Sequence, residues 1–171
     1  MTTKTTPKKS PRTATTIDPI KLLTDDHKEV HALFQKYMKL AAKGTDGEER
    51  QALAEKICLM LSAHMTIEEE IFYPASREAM VESDLLDEAE VEHASCKELI
   101  AQIRGMDADD DLYDAKVKVL SEYIEHHVKE EEGEVFPKCR KSAMNLPTVG
   151  AQMSERKKAL MSEITEVMET K

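Results

Sequence analysis

Four histidines and two glutamates stand at positions where a helical repeat predicts an apolar core. In the first predicted helix, for example, the series Ile20, Leu23, His27, Val30 and Phe34 places an imidazole on the inward face. A buried carboxylate without a partner costs several kcal/mol or shifts its pKa, whereas a bound cation neutralises it and uses the imidazole lone pairs. The pattern therefore predicts a metal site in the core. The six inward residues are His27, His64, Glu68, His93, His127 and Glu131.

Two of the predicted helices carry the same motif. Residues 64–74 align with residues 127–137: each segment runs from His to Pro in ten steps, with a Glu four residues after the His. Side chains at i and i+4 share one helix face, so this pair can reach one metal ion or bridge two.

The acids that precede two of the histidines have the same place in the repeat. Asp26 precedes His27, and Glu92 precedes His93. Such an acid could orient the neighbouring imidazole through a hydrogen bond. Adjacent helical residues point about 100° apart, however, so we expect both acids to be exposed and solvated. The remaining members of the runs Glu68–Glu70 and Glu130–Glu132 are expected on the solvated surface as well.

The elements that must position these residues are amphipathic helices. Four apolar stripes of helical period, separated by short loops, predict an all-α protein built as an up-down-up-down four-helix bundle. A further amphipathic segment after Pro147 predicts an extra C-terminal helix. We divide the chain into a disordered basic tail (1–17), the bundle (18–141) and a helical extension (142–171).

The ends of the helices follow from capping residues and prolines. Asp18-Pro19 has the form of an N-cap followed by Pro at the first helical position. Pro74 is expected to close or kink the second helix, and the fourth is expected to end before Pro137. With these ends, His27 and His64 lie about 1.5 Å apart in height across an antiparallel helix pair, so one layer can hold both.

The composition excludes several classes of function. The net charge of −10 argues against nucleic acids and anionic membrane surfaces as partners. No apolar run is long enough to span a membrane. The three cysteines, Cys58, Cys96 and Cys139, have no short spacing, which favours reduced thiols and a cytoplasmic location over a disulfide framework.

The order His, His-x-x-x-Glu, His, His-x-x-x-Glu over four helices resembles the hemerythrin-like family with its HHE cation-binding motif. The segments DDHKEVHALF, HMTIEEEIFYP and HHVKEEEGEVFP carry the resemblance, which covers roughly residues 18–141. It implies two irons inside the bundle, bridged by the two carboxylates and an oxygen species. The implied ligands are the six inward residues named above.

The sequence departs from the oxygen-carrying members of that family at two ligand positions. Those members have a fifth histidine four residues after the one on the third helix, where this chain has Lys97. Their last acid is an Asp in another spacing, where this chain has Glu131. His31, one turn after His27, stays open as a fifth ligand, and His126 is expected to face solvent or to pack between helices.

The resemblance implies a non-haem diiron protein that binds O2 or NO for carriage, storage or sensing. An alternative is a diiron redox enzyme acting on peroxide, NO or ferrous iron, because the missing histidine leaves more open coordination positions. An iron-handling or regulatory protein is a third option. The ligand set suits iron or manganese better than a closed zinc site, which prefers four ligands and often Cys.

Overall fold

The computed structural model describes residues 16–44, 46–79 and 83–169, and within these ranges the chain is helical, with no strand. Seven α-helices and two short π-helical turns follow one another. They are α1 (Pro19–Ala42), α2 (Gly47–Ile67), the first π turn (Glu68–Phe72), α3 (Tyr73–Ala79), α4 (Asp84–Arg104), α5 (Tyr113–Glu130), the second π turn (Glu131–Val135), α6 (Phe136–Lys141) and α7 (Leu146–Glu169).

The expected bundle is confirmed. Helices α1, α2, α4 and α5 pack in a ring of neighbouring pairs, α1 with α2, α2 with α4, α4 with α5 and α5 with α1. The predicted C-terminal helix is α7, which lies against α1, α2 and the first π turn. None of the described helices is both long and apolar enough to cross a membrane. Of the tail predicted to be disordered (1–17), residues 1–15 lie outside the described ranges, whereas Ile17 lies within them beside Gly150 of α7. The division at 17/18 and 141/142 stays a prediction.

The first helix begins where the sequence predicts and ends before a glycine. The Asp18 side chain accepts a hydrogen bond from the Ile20 backbone N–H at 3.0 Å, and Pro19 occupies the first helical position. After Ala42 the chain leaves the helix, and Gly44 has a φ of +62°, a left-handed conformation that favours glycine.

The two prolines of the repeat do not end the helical rods in which they lie. For Pro137 this corrects our prediction that the fourth helix ends before it. Pro74 lies inside α3 and Pro137 inside α6, and each short helix continues the preceding one through a π turn. A proline in a regular α-helix clashes with the carbonyl four residues earlier. Here the turn before each proline is widened: the Tyr73 N–H bonds the Glu68 carbonyl, five residues back, and the Phe136 N–H bonds the Glu131 carbonyl. The rod therefore extends past each proline.

The buried apolar residues form two layers along the bundle. One layer contains the part of α1 that follows His27, with Val30 and Phe34, together with the facing parts of α2, α4 and α5. The other contains Ile20 and Leu23, which precede His27, and the π turns, α6 and the start of α7. His27 and its counterparts lie where one layer gives way to the other, so a polar layer sits across the middle of the bundle.

The three cysteines lie within these apolar layers. All three side chains are buried, and no disulfide joins them. Cys58 and Cys96 belong to the first layer and Cys139 to the second.

Candidate metal centre

The six inward residues meet in the polar layer. Each is at least 93% buried, and Glu68 is fully so. They come from every helix of the bundle: His27 from α1, His64 from α2, His93 from α4 and His127 from α5. The two glutamates are the first residues of the two π turns.

The six side chains form two positions that share both carboxylates. At the first position, the Nε2 atoms of His27 and His64 are 3.1 Å apart, and His64 Nε2 lies 3.2 Å from Glu68 Oε1. At the second, the Nε2 atoms of His93 and His127 are 3.2 Å apart, and His93 Nε2 lies 3.4 Å from Glu68 Oε2. Glu68 thus offers one oxygen to each position.

The second glutamate also joins the two positions. Glu131 Oε2 lies 3.3 Å from His27 Nε2 and 3.5 Å from His127 Nε2. Potential ligand atoms of His27, His64, Glu68 and Glu131 lie within 4.8 Å of one another, and so do those of Glu68, His93 and His127. This spacing suits two cations held side by side.

Three of the four carboxylate oxygens of this centre lack hydrogen-bond donors among the described residues. Both oxygens of Glu68 and Oε2 of Glu131 are buried and accept no hydrogen bond from the described part of the chain. Buried polar atoms are rarely left in this state, because desolvation without a partner is costly. The donor set therefore fits metal ions, which these oxygens would bind.

The outward nitrogen of every inward histidine faces a carboxylate, at 2.8 to 3.3 Å. The four pairs of Nδ1 and acid are His27 with Glu132, His64 with Asp26, His93 with Glu69, and His127 with Glu92. An Nδ1–H that donates to a carboxylate leaves the Nε2 lone pair directed at the centre, which is how proteins orient histidine ligands.

This geometry agrees with the family comparison. The model of the hemerythrin HHE cation-binding domain matches residues 18–139. The chain belongs to this family. The match covers the four helices of the bundle and all six inward residues, whose side chains we call the HHE centre. Both the family and the chemistry of these side chains therefore indicate a cation-binding site.

Two similar proteins show what the HHE domain of this chain resembles. The crystal structure of a hemerythrin HHE cation-binding domain-containing protein from Mycobacterium kansasii covers 91% of this chain and 94% of its own, with a TM-score of 0.72 and 21% identity. That likeness concerns the fold. A protein named DNA nickase from Nostoc sp. is 28% identical over 139 residues, and the match spans 81% of this chain but 38% of the relative.

The acids around the HHE centre correct our expectation of a solvated surface. Asp26 is 6% exposed and faces the histidine of the next helix rather than its own neighbour, since adjacent residues diverge around α1. Glu69 and Glu132, each one residue after an inward glutamate, also face histidines, although the Glu132 side chain is exposed, as we expected. The repeat contained this signal, because acids occupy the same positions in both of its copies.

Tyr73 is a polar residue of the centre that sequence reasoning missed. Its hydroxyl donates to Glu131 Oε1 at 2.9 Å and lies 3.3 Å from His93 Nε2, and the residue is fully buried. The repeat places Phe136 at the corresponding position, where its ring stacks on His27 with centroids 5.8 Å apart. The two metal positions therefore differ: one has a phenol beside it and the other an apolar ring.

The charges of the HHE centre favour cations. Burial lowers the pKa of His64, but Glu68 and Asp26 outweigh burial and raise the pKa to about 10. His127 behaves in the same way, and its pKa rises to about 10 beside Glu131 and Glu92. The pKa of Glu131 is held well below its usual value by the adjacent histidines, in spite of burial.

Three residues weighed in the sequence lie outside the two positions. His31 is exposed, and its Nε2 lies 2.8 Å from the Gln35 amide nitrogen, so the structure does not bring it to the centre as a fifth ligand. The expectation that His126 faces solvent is confirmed, since its side chain is 61% exposed. Lys97 donates to both oxygens of Glu69, at 2.7 and 2.6 Å, and so holds the acid that orients His93.

A small cavity adjoins the four inward histidines. Its volume of about 10 Å³ suits roughly one water-sized molecule. Its other walls are mainly the apolar side chains Val30, Leu61, Met65, Ile124 and Val128. A groove of about 200 Å³ between α1 and α5 shares His27, Ile124 and Val128 with this cavity. These three side chains separate the centre from the groove.

Proposed function

We propose that the HHE centre holds two iron ions and binds O2 or NO for carriage, storage or sensing. The observation that carries this proposal is the small cavity at the four histidines, which has apolar walls and room for about one water-sized molecule. A diatomic ligand is of that size, and most larger substrates are excluded. When bound, the irons would supply the electrons and open coordination positions that such a ligand requires.

The donor set supports iron or manganese, and the family resemblance favours iron. Four imidazoles and two carboxylates suit octahedral iron or manganese, whereas a structural zinc site closes with four ligands. His27, His64, His93 and His127 would hold the ions with Glu68 and Glu131 shared between them, as the family resemblance implies. Asp26, Glu69, Glu92 and Glu132 would keep the rings oriented.

A redox enzyme acting on peroxide, NO or ferrous iron is the second candidate. Tyr73 favours it, because its buried hydroxyl is 2.9 Å from a carboxylate of the centre and can donate a hydrogen bond to a reacting group. Lys97, which takes the place of a histidine ligand in the oxygen carriers, adds support because it leaves more open positions.

Two further aspects remain part of the proposal. A net charge of −10 supports a small-molecule ligand rather than DNA, and the name of the Nostoc relative describes that longer protein. The three buried thiols without a disulfide support a cytoplasmic location.

The proposal is tested by metal content and by an optical spectrum of protein that is reduced anaerobically and then exposed to O2. Two irons per chain would support reversible binding if the visible band is stable under O2 and disappears when the O2 is removed under vacuum. Two irons with a short-lived band, together with turnover of peroxide or NO, would favour the enzyme. Loss of a partner or of folded structure on metal removal, without turnover, would favour a regulator. A chain that takes up no iron, or one zinc, would contradict the diiron proposal.

A further inference from the structure

The C-terminal helix α7 reaches the surroundings of the HHE centre through two adjacent basic side chains. Lys157 donates to Asp26 Oδ1, and Arg156 makes two bonds to Glu70, at 2.7 and 3.0 Å. The two contacts differ in whether the acid also faces an inward histidine. Asp26 faces an inward histidine, whereas the Glu70 side chain is 47% exposed and faces none.

Asp26 divides its two oxygens between α7 and the centre. Oδ2 lies 3.3 Å from His64 Nδ1, while Oδ1 accepts the bond from Lys157. The Asp26 side chain is 8% exposed, so water contributes little to holding it. Lys157 therefore fixes the carboxylate that orients the His64 ring.

The second copy of the repeat shows what differs. Glu92, one methylene longer than Asp26, reaches His127 Nδ1 at 2.8 Å, and its other oxygen lies 2.9 Å from the exposed His126. The distance of 3.3 Å from Asp26 to His64 is the longest of the four contacts between an acid and an outward nitrogen. Asp26 therefore makes the weakest of the four contacts with a histidine ring, and a second contact that fixes its carboxylate has the largest effect there.

A lysine also holds an acid at the other metal position, but that lysine belongs to the bundle itself. Lys97 of α4 binds both oxygens of Glu69, which faces His93. Lys157, in contrast, lies beyond residue 139, the last residue that matches the family model. At the first position, the lysine that holds the orienting acid therefore comes from α7, which follows the HHE domain. At the second position the equivalent lysine comes from α4.

We propose that Lys157 is a positioning residue of the metal centre: it holds Asp26 against His64, so that the docking of α7 sets the metal affinity of the position formed by His27 and His64. This inference rests on the proposed function, in that two metal ions must bind. It adds that the ions bind unequally when the contact with α7 is broken.

The test is an anaerobic titration of the metal-free full-length protein with Co²⁺, followed by the visible absorption of the bound ion, which reports ligand geometry. The variant is Lys157→Met, which keeps an unbranched side chain one atom shorter than that of lysine and removes its charge. Arg156→Met is the matched control, because it removes the neighbouring ion pair between α7 and Glu70, which orients none of the inward histidines. Lys157→Arg restores the charge, and circular dichroism of each protein verifies that it is folded.

We expect Lys157→Met to weaken one of the two Co²⁺ ions by about tenfold, the low end of the effect of removing a group that orients a ligand, and to change its absorption. Arg156→Met should leave both affinities as in the unaltered chain, and Lys157→Arg should recover the lost affinity.

Equal weakening by Lys157→Met and Arg156→Met would overturn the proposal, because the effect would then come from helix docking alone. Unchanged affinities in Lys157→Met would overturn it as well. Uptake of fewer than two ions by the unaltered chain would contradict the proposed two-metal centre itself, and this failure is visible without any variant.

Discussion

In the proposed two-metal centre, Glu68 is the residue that faces both positions with separate oxygens. Its two oxygens face different positions, 3.2 Å from His64 Nε2 and 3.4 Å from His93 Nε2, and both are buried without a hydrogen bond from the described residues. A neutral amide in its place keeps the shape but offers one oxygen and one NH2 group. The pair of positions would then lose one of its two shared carboxylates.

We therefore expect Glu68→Gln to lower the metal content from two ions per chain to one or none. Elemental analysis of the purified protein measures this directly. Glu134→Gln is the control, because Glu134 is an exposed acid of the second π turn and should retain two ions. Two ions in Glu68→Gln would show that this carboxylate is not shared between metals.

The acids behind the histidines should affect affinity rather than stoichiometry. Glu92 accepts from His127 Nδ1 at 2.8 Å without entering the centre. Removal of such a group typically costs about 10- to 100-fold in metal affinity. We expect Glu92→Gln to weaken one ion by that factor in a Co²⁺ titration, whereas Glu88→Gln, an exposed acid one turn earlier on α4, should change neither affinity. Equal affinities in the two variants would contradict the orienting role.

The sequence predicted the inward residues well and their supporting partners poorly, for one physical reason. A histidine or glutamate on an apolar stripe conflicts with its predicted environment, and that conflict is visible in a single helix. The pairing of Asp26 with His64 depends on how two helices face each other, which helical spacing does not specify. Tyr73 was hidden because an aromatic residue on an apolar stripe conflicts with nothing.

At the scale of elements, the π turns link the metal residues to the prolines of the repeat. Each turn begins at an inward glutamate and ends two residues before a proline. The sequence showed both prolines, and from them we expected the fourth helix to stop. A widened turn removes the steric conflict without ending the rod, and the choice between these outcomes depends on tertiary packing that the spacing of residues does not contain.

Two glycines offer a matched test of element packing. A Cβ on Gly133, in the second π turn, would meet nothing within 4 Å, whereas a Cβ on Gly150 in α7 would lie 2.0 Å from the Ile17 carbonyl oxygen. We expect Gly133→Ala to raise the free energy of unfolding by about 0.4–1 kcal/mol, since it restricts the unfolded chain. Gly150→Ala should lower it by about 1–3 kcal/mol, because α7 must move away from the start of α1.

Denaturant unfolding of metal-free protein followed by circular dichroism measures both changes. The metal content of Gly133→Ala should equal that of the unaltered chain. A stabilised Gly150→Ala would contradict the close packing of α7 against the segment before α1.

At the scale of the whole molecule, the three thiols report how tightly the layers are packed. Burial raises the pKa of Cys58 to about 12 and that of Cys96 to about 11, and Cys139 is fully buried. Thiolates are the reactive form, so a disulfide reagent at pH 8 finds neither access nor thiolate. We expect no labelling of the folded protein within minutes and three labelled thiols after unfolding. Rapid labelling of the folded chain would show that its core opens readily.

The polar layer should make the whole bundle depend on its metal. Between two apolar layers lie two buried carboxylates, and three of their four oxygens lack hydrogen-bond donors among the described residues. A ligand that binds the folded chain alone stabilises it by about 2.7 kcal/mol at a hundred times its dissociation constant. We therefore expect chelation to lower the melting temperature and added Fe²⁺ under anaerobic conditions to restore it.

Glu68→Gln separates this coupling from a general effect of the chelator. Its melting temperature should respond less to chelation and to Fe²⁺ than that of the unaltered chain, because one of the two shared carboxylates has been removed. Equal melting temperatures of the metal-loaded and metal-free unaltered chain would mean that packing alone carries the fold. The buried carboxylates would then need another source of compensation, such as protons on the adjacent histidines.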